Sequence, residues 1–406
     1  MHIRSLSLRQ FRTYNRLELD LPAAPILLLG ANAQGKTSLL EAMAFLALGA
    51  SPLTGTDQHV IHWNAVDAEM PFAHIRAEVV HAGRTETLEI ALERKHLTNG
   101  TWRMQKSIRI DQRAVRRADL AGHLNIVLFL PEDLALVHGS PSGRRRYLDN
   151  LLSQIYPTYV DVLTVYQKAV SRRNALLRHL REHGGDPLQL APLEERIVRA
   201  GVTVSLYRKQ VLRELSDQID RLHRDLTGGE AWLQLQYAPS IESIHQPTAA
   251  PGAEPVSDAP AEELLDVDVL YEAYRRQLAT RRQVEIQRGM TLVGPHRDEV
   301  RFISNGRDMG TFGSRGQQRT AVLALHLAEL NWLKAITGES PVLLLDEVLA
   351  ELDRARRNYL LELLDSVEQT VLATTDAEMF PDSFRERVTT YQVAEGIVTA
   401  TQSGPD

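Results

Sequence analysis

The sequence contains no cysteine among its 406 residues. That excludes a disulfide framework and any thiolate-based metal or redox site, and makes the reducing cytosol the natural compartment. No apolar run approaches the ~20 residues needed to cross a bilayer, so no membrane association is expected. The N-terminus, Met1-His2-Ile3-Arg4-Ser5-Leu6, passes straight into strand-like alternation without a signal-peptide pattern. Together these features point to a cytoplasmic protein. Net positive charge is also missing: the formal charge is −6. This argues against a uniformly basic coat for nucleic acid, but it leaves room for a local basic groove. No internal repeat is visible. What is present, 43% hydrophobic and 24% charged residues, is the composition of a globular protein, and the length suggests two or three lobes.

The chain is organised around Gly30-Ala31-Asn32-Ala33-Gln34-Gly35-Lys36-Thr37. It follows the apolar run Ile26-Leu27-Leu28-Leu29 and precedes the helix-forming Ser38-Leu39-Leu40-Glu41-Ala42-Met43. Strand, glycine-bounded loop and helix is the context in which G-x-x-x-x-G-K-[ST] marks a phosphate-binding loop. A triphosphate is a dense anion that calls for backbone N–H donors, a helix N-terminus and a mobile cation. The backbone from Gly30 to Ser38 supplies the donors, and Lys36 reaches the β- and γ-phosphates. The Thr37 hydroxyl ligates Mg2+. ATP with Mg2+ is the expected ligand.

Residues 3–21 read as two strands around a turn. Between them lies Phe11-Arg12-Thr13-Tyr14-Asn15, which either stacks on adenine and touches phosphate, with Arg12 as the candidate contact, or supplies turn and core residues. From Ile75 to about Ile110 the pattern alternates, with turn signals at Gly83 and Asn99-Gly100, as in an antiparallel meander or pair of hairpins. Ile126-Val127-Leu128-Phe129-Leu130 reads as a buried strand closed by Pro131-Glu132-Asp133. Arg144-Arg145-Arg146 then stand at a helix start, where they repel one another and the helix dipole. They are candidate contacts to DNA phosphates; the alternative is a solvated face paired with Glu132, Asp133 or Asp149.

Apolar residues then recur at helical spacing from Tyr147 to about His183, with a break at Pro157. The same spacing runs from about Pro192 to Leu226, and from about Ala261 to Arg288. These segments form a helical arm that folds back on itself, its apolar stripes packing against one another. The proline-rich stretch near 245–260 is a flexible insert. The resulting division is 1–146, first part of a head; 147–290, the arm; and 291–406, the remainder of the head.

Val342-Leu343-Leu344-Leu345-Asp346-Glu347 ends an apolar run in two carboxylates, which a buried parallel strand delivers to the ligand-binding edge of its sheet. Asp346 holds Mg2+ opposite Thr37, and Glu347 orients or deprotonates the attacking water. Upstream, Ser314-Arg315-Gly316-Gln317-Gln318 opens a helix. Ser314, Gly316 and Gln317 there offer a hydroxyl, N–H groups and an amide to an anion, in the form of the signature motif of ATP-binding-cassette (ABC) ATPases. In that family the motif acts across a dimer interface. Glu351-Leu352-Asp353 resembles the family's D-loop.

Thr37 and Asp346 meet at one Mg2+ only if the two ends of the chain fold together while the middle projects. The expected fold class is therefore α/β: a split ATPase head of ABC/SMC type, with a P-loop parallel sheet, an antiparallel β meander and an inserted helical arm.

The sequence closely resembles the RecF family of bacterial recombination-mediator ATPases over essentially its full length. The stretches that carry the resemblance are Pro131-Glu132-Asp133-Leu134-Ala135-Leu136-Val137-His138-Gly139-Ser140-Pro141 running on to Arg144-Arg145-Arg146-Tyr147-Leu148-Asp149, and Gly294-Pro295-His296-Arg297-Asp298, besides the motifs above. The resemblance implies an ATP-dependent homodimer that recognises duplex DNA or single-strand/duplex junctions at gaps. It also implies work with RecO and RecR, and indirectly RecA loading, in gap repair and the SOS response. Its hydrolysis is expected to be weak and DNA-stimulated. Thr374-Thr375-Asp376 stand where many ABC ATPases place a histidine facing the γ-phosphate, which favours a slow switch. Ala33 stands where an extra glycine is common and should stiffen the loop.

His296 and Arg297 are read as bracing the head against the arm through Asp298, with catalysis or DNA contact as the alternative. The pairs Arg116-Arg117, Arg172-Arg173 and Arg281-Arg282 read as solvated faces, some of which would line a DNA groove. Two other functions fit less of the chain: a transport-type ABC ATPase subunit, which the inserted arm counts against, and an ATP-gated scaffold with negligible turnover. Comparing ATP-induced dimerisation with turnover separates the scaffold from an ATPase.

Overall fold

Alternation at the start of the chain builds a hairpin from β1 (His2–Phe11) and β2 (Tyr14–Asp20), followed by the short apolar β3 (Ile26–Leu29) and helix α1 (Lys36–Leu48). The meander follows as β4 (Phe72–His81), β5 (Arg84–His96), β6 (Trp102–Ile110) and β7 (Arg113–Val115), and then β8 (Ile126–Phe129). Helices α2 (Pro141–Ser153), α3 (Pro157–His183) and α4 (Ala191–Leu226), strand β9 (Leu233–Ala238) and helix α5 (Val267–Arg288) form the middle of the chain. The C-terminal part contributes β10 (Glu299–Ser304), β11 (Arg307–Asp308), helix α6 (Arg315–Thr337), β12 (Val342–Asp346), helix α7 (Arg354–Leu364), β13 (Thr370–Thr374), β14 (Thr389–Ala394) and β15 (Ile397–Gln402). The computed structural model describes residues 1–66, 70–96, 102–241 and 267–402, so the proline-rich stretch near 245–260 lies outside them.

The strands form three sheets. An antiparallel sheet runs β2-β1-β4-β5-β6-β7, a mixed one runs β15-β14-β3-β13-β12-β8, and β11-β10-β9 make a small third sheet. In the mixed sheet β14, β3, β13, β12 and β8 are parallel neighbours and β15 is the antiparallel edge. Parallel strands covered on both faces are apolar at every position. Thus Val342 and Leu344 point into the core shared with the antiparallel sheet, whereas Leu343 and Leu345 point into the core beneath α6. Helix α1 lies in the first of these cores and is buried from Leu39 to Leu48, as expected of a helix that is apolar all round.

The middle segment is less separate than an arm that packs only on itself. The N-terminal half of α4, with Ile197 and Val198, packs with Tyr166 and Val170 of α3 and with Leu270 and Leu278 of α5. From Val204 onward, with Val211, Leu215 and Ile219, the helix belongs to the core that contains α6. Trp332 Nε1 donates to Glu214 Oε2 across that contact at 2.7 Å. A strand, β9, also lies between the second and third expected helices of the arm and pairs with β10 through Leu235↔Phe302.

The Gly294-Pro295-His296-Arg297-Asp298 segment joins these parts. Gly294 has φ 123, and a Cβ there would lie 1.9 Å from the Tyr274 hydroxyl, so only glycine fits. His296 Nδ1 is 2.6 Å from the Tyr166 hydroxyl, Ser240 N donates to Asp298 Oδ1 at 2.8 Å, and Tyr237 donates to the same carboxylate. These are bracing contacts between head and middle segment. Burial drives the His296 imidazole down to about 4, so it is neutral at physiological pH.

Candidate nucleotide site

β3 and β12 end at the same edge of the parallel sheet, separated by β13. The loops that leave these two strands are therefore brought together by topology. Thr37, on the first turn of α1, donates its hydroxyl to Asp346 Oδ2 at 2.5 Å across a separation of 309 positions. Lys36 Nζ donates to the carbonyls of Gly30 at 2.6 Å and Ala31 at 3.1 Å, and stands 3.3 Å from Glu347 Oε1.

Asp346 is buried, and burial raises its carboxyl above the usual range. The Thr37 hydrogen bond opposes this, Glu347 and Glu132 push it further up, and Lys36 pulls it down. Glu347 has φ 51, a strained value for a side-chain-bearing residue, and its Oε1 is buried without a hydrogen bond. The end of β12 thus presents an oxygen pair, Thr37 and Asp346, beside a carboxylate whose Oε1 faces the Lys36 ammonium at 3.3 Å. That hard-oxygen set fits Mg2+.

The loop itself is clamped from behind. A Cβ on Gly30 would lie 2.2 Å from the Val393 carbonyl of β14, so close approach requires glycine. Tyr14 donates to the Gly35 carbonyl at 3.0 Å, and Gln34 Oε1 accepts from Glu395 N at 2.7 Å. Ala31, Asn32 and Ala33 are exposed, and Ala33 has φ 63. A cavity of about 550 Å³ opens beside the loop, lined by Gln10, Thr13, Asn15, His62, Asn64 and Gly396 among others.

Of the hairpin residues, Phe11 and Tyr14 are fully buried, with Phe11 edge-on to Phe45 of α1. The stacking reading fails for both aromatics, because the strands extend to enclose them and the turn is only Arg12-Thr13. Arg12 Nε and Nη2 donate to both oxygens of Glu41 at 2.7 Å. Its guanidinium is thus held on α1 by a carboxylate.

Ser314 caps α6. Its Oγ accepts from Gln317 N at 3.3 Å while Gln317 Oε1 accepts from Ser314 N at 2.9 Å, a reciprocal capping box. This uses acceptor capacity and leaves the Ser314 O–H and the Gln317 amide hydrogens to donate outward. Ser314, Gly316 and Gln317 are all exposed. Asp353, in the D-loop-like segment, caps α7 by accepting from Arg356 N at 3.0 Å.

The arginine triplet divides. Arg144 is buried: its Nε and Nη2 donate to Glu299 at 2.7 and 2.9 Å, and Nη1 reaches the carbonyls of Leu136 and Gly139. The expectation of a DNA contact does not hold for Arg144 in this conformation, because its donors are engaged internally. Arg145 donates to the Asp298 carbonyl at 2.7 Å and is half-buried, and Arg146 is exposed. Arg173 and Arg282 are likewise not solvated: Arg173 is fully buried between Glu194 and Glu285, and Arg282 pairs with Glu194. Sequence reasoning places Glu132 at the close of the β8 run but gives it no part at the site. It follows β8 as Asp346 ends the neighbouring β12, with Phe129 level with Leu345, and its charge acts on Asp346.

The RecF/RecN/SMC N terminal domain family matches residues 2–399. A DNA replication and repair protein RecF from Chloroflexus aurantiacus is 41% identical over 412 residues, covering 98% of this chain and 100% of its own. The chain belongs to the RecF family. A structure of the recombination mediator protein RecF with ATP in the RecFOR pathway aligns over 99% of this chain and 98% of its own, at 28% identity and TM-score 0.81. An Smc head bound to the C-winged helix domain of ScpA aligns over 100% of this chain and 98% of its own. At 13% identity and TM-score 0.50 it shares the fold alone. RecF membership carries a role in DNA replication and repair and places the split head in the SMC/ABC ATPase superfamily. No helix among the described residues is long and apolar enough to cross a membrane.

Proposed function

We propose that this RecF-family chain is a cytoplasmic, ATP-dependent DNA-binding protein that dimerises on ATP and hydrolyses it slowly. The observation that carries this reading is the meeting of Thr37 with Asp346, and of Lys36 with Glu347, across nearly the whole chain. Lys36 and the loop from Gly30 to Ser38 bind the phosphates, and the cavity by Thr13 and Asn64 takes the base and ribose. Thr37 and Asp346 would hold Mg2+, which when bound neutralises charge on the β- and γ-phosphates. Glu347 orients the attacking water and accepts its proton. Ser314, Gly316 and Gln317 donate to the nucleotide of a second copy, so that ATP cements a homodimer. Arg12 stays with Glu41 unless the nucleotide draws it away.

The solved relative names ATP and the RecFOR pathway. By that kinship, the dimer clamps duplex DNA or single-strand/duplex junctions at gaps. It works there with RecO and RecR and, through them, promotes RecA loading in recombinational repair and the SOS response. Exposed Arg146 is the member of the triplet best placed to meet a DNA phosphate.

The decisive experiment is sedimentation of the full chain with ATP and Mg2+, with and without gapped DNA. The expected result is an ATP-dependent dimer that holds gapped DNA, abolished by Lys36→Arg and trapped by Glu347→Gln. A chain that stays monomeric and ignores DNA under all conditions overturns the proposal.

A further inference from the structure

Away from the nucleotide site, three side chains with metal-ligating atoms converge. His81 is the last residue of β4, Glu86 lies near the start of β5 opposite Val79, and His123 stands in the connection leading into β8. His81 Nε2 lies 3.0 Å from Glu86 Oε2, and His123 Nδ1 lies 2.5 Å from the same oxygen. The two imidazoles meet edge to face with centroids 5.8 Å apart, and one ligand atom from each of the three residues lies within 4.8 Å of the others. All three are shielded without being sealed, at 15%, 17% and 29% side-chain exposure for His81, Glu86 and His123.

Their place in the fold is specific. Val342 N, at the start of β12, donates to the carbonyl of Asn125, two residues after His123. The cluster therefore sits by the N-terminal ends of the parallel strands, at the edge opposite Asp346 and the P-loop. It bridges the β4–β5 turn of the antiparallel sheet and the entry to β8 of the parallel sheet.

Two imidazole nitrogens and one carboxylate oxygen form the donor set of a tetrahedral divalent site with one position left for water. Mg2+ favours six oxygens and is not suited to it, whereas Zn2+ and its neighbours favour imidazole. We propose that His81 Nε2, His123 Nδ1 and Glu86 hold a zinc-class divalent cation that ties the β4–β5 turn to the start of β8, independently of the nucleotide.

The test uses the full-length chain stripped with a chelator and titrated with Zn2+, and with Co2+ as a spectroscopic probe, without nucleotide. The expected result is uptake of about one equivalent, with tetrahedral cobalt absorption and a thermal midpoint that rises with metal. Glu86→Gln and His123→Ala should each weaken affinity on the order of 100-fold and remove the thermal shift, while nucleotide binding is retained. If His123→Ala does not fold, Glu86→Gln, which keeps the side-chain shape, decides. Absence of stoichiometric uptake at micromolar Zn2+ overturns the proposal. So does uptake unaltered by these substitutions, or uptake lost instead in Asp346→Asn, which would place the cation at the nucleotide site.

Discussion

Lys36 Nζ stands 3.3 Å from Glu347 Oε1, the lysine 5% and the glutamate 23% exposed, so the P-loop and the end of β12 are joined by a shielded cation and carboxylate. The pair has two separable roles in the proposed function. Glu347→Gln keeps the shape and removes the base, so single-turnover ATP hydrolysis should fall by ~100-fold or more while nucleotide affinity holds or rises. Lys36→Ala removes charge-assisted bonds to phosphate and should weaken nucleotide binding roughly 10- to 100-fold. Phosphate release and equilibrium binding measure the two separately. Undiminished turnover in Glu347→Gln would remove that residue from the chemistry.

Ala33 should be the cheapest place to relax the P-loop. At φ 63 it occupies the left-handed region, where a Cβ costs roughly 1–2 kcal/mol, and its side chain is exposed. Ala33→Gly removes that strain but adds freedom to the unfolded chain, so the net gain should stay below about 1 kcal/mol. Thermal unfolding would show a small rise in midpoint. A fall of several degrees would mean that the methyl group is needed where it stands.

The parts of this site that were legible in the sequence are those whose chemistry is local. The Gly30–Thr37 loop declares itself by its glycines and flanking strand and helix, and Asp346-Glu347 by the apolar run before them. Together they required the chain to close on itself. Residues whose role depends on a distant partner were not legible. Arg144 reads as a repelled cation until Glu299, 155 positions away, is seen to accept from it. Arg173 reads as surface until Glu194 and Glu285 enclose it. Phe11 and Tyr14 carry equal signals for stacking and for core, and only the β1–β2 pairing and the packing on α1 decide. Leu233-Gln234-Leu235-Gln236 alternates as a strand does, in a stretch between two helical patterns to which sequence reasoning assigns no element.

The division of the arginine triplet predicts opposite phenotypes for neighbours. Arg144→Ala leaves the largely buried Glu299 without its cation and should destabilise the chain by about 3–5 kcal/mol, seen as a lowered thermal midpoint. Arg146→Ala should leave the midpoint unchanged, weaken DNA binding across all sequences, and lower the salt dependence of binding by about one phosphate contact. If Arg146→Ala binds DNA with unaltered affinity and salt dependence, the DNA path lies elsewhere.

His326 on α6 supplies the pH dependence. Its Nε2 is 3.0 Å from Asp133 Oδ2 and its Nδ1 is 3.1 Å from Glu329 Oε2, with Tyr147 also donating to Glu329 at 2.9 Å. Burial alone would favour the neutral ring, but the two carboxylates outweigh it and raise the imidazole to about 9. Because the folded value lies above the ordinary 6.5, the imidazolium stabilises the fold fully below that pH, and the contribution is lost as pH rises through about 9. The shift corresponds to roughly 3 kcal/mol. His326→Gln should therefore be well below the native protein in thermal midpoint at pH 6, and the gap should narrow steadily towards pH 9.5 as the native ring loses its proton. Asp133 adjoins Glu132, whose charge acts on Asp346, so the same titration should loosen the link between α6 and the β8 end of the nucleotide site. A gap that is constant with pH would show that His326 is neutral in the fold, and that Asp133 and Glu329 are satisfied without it.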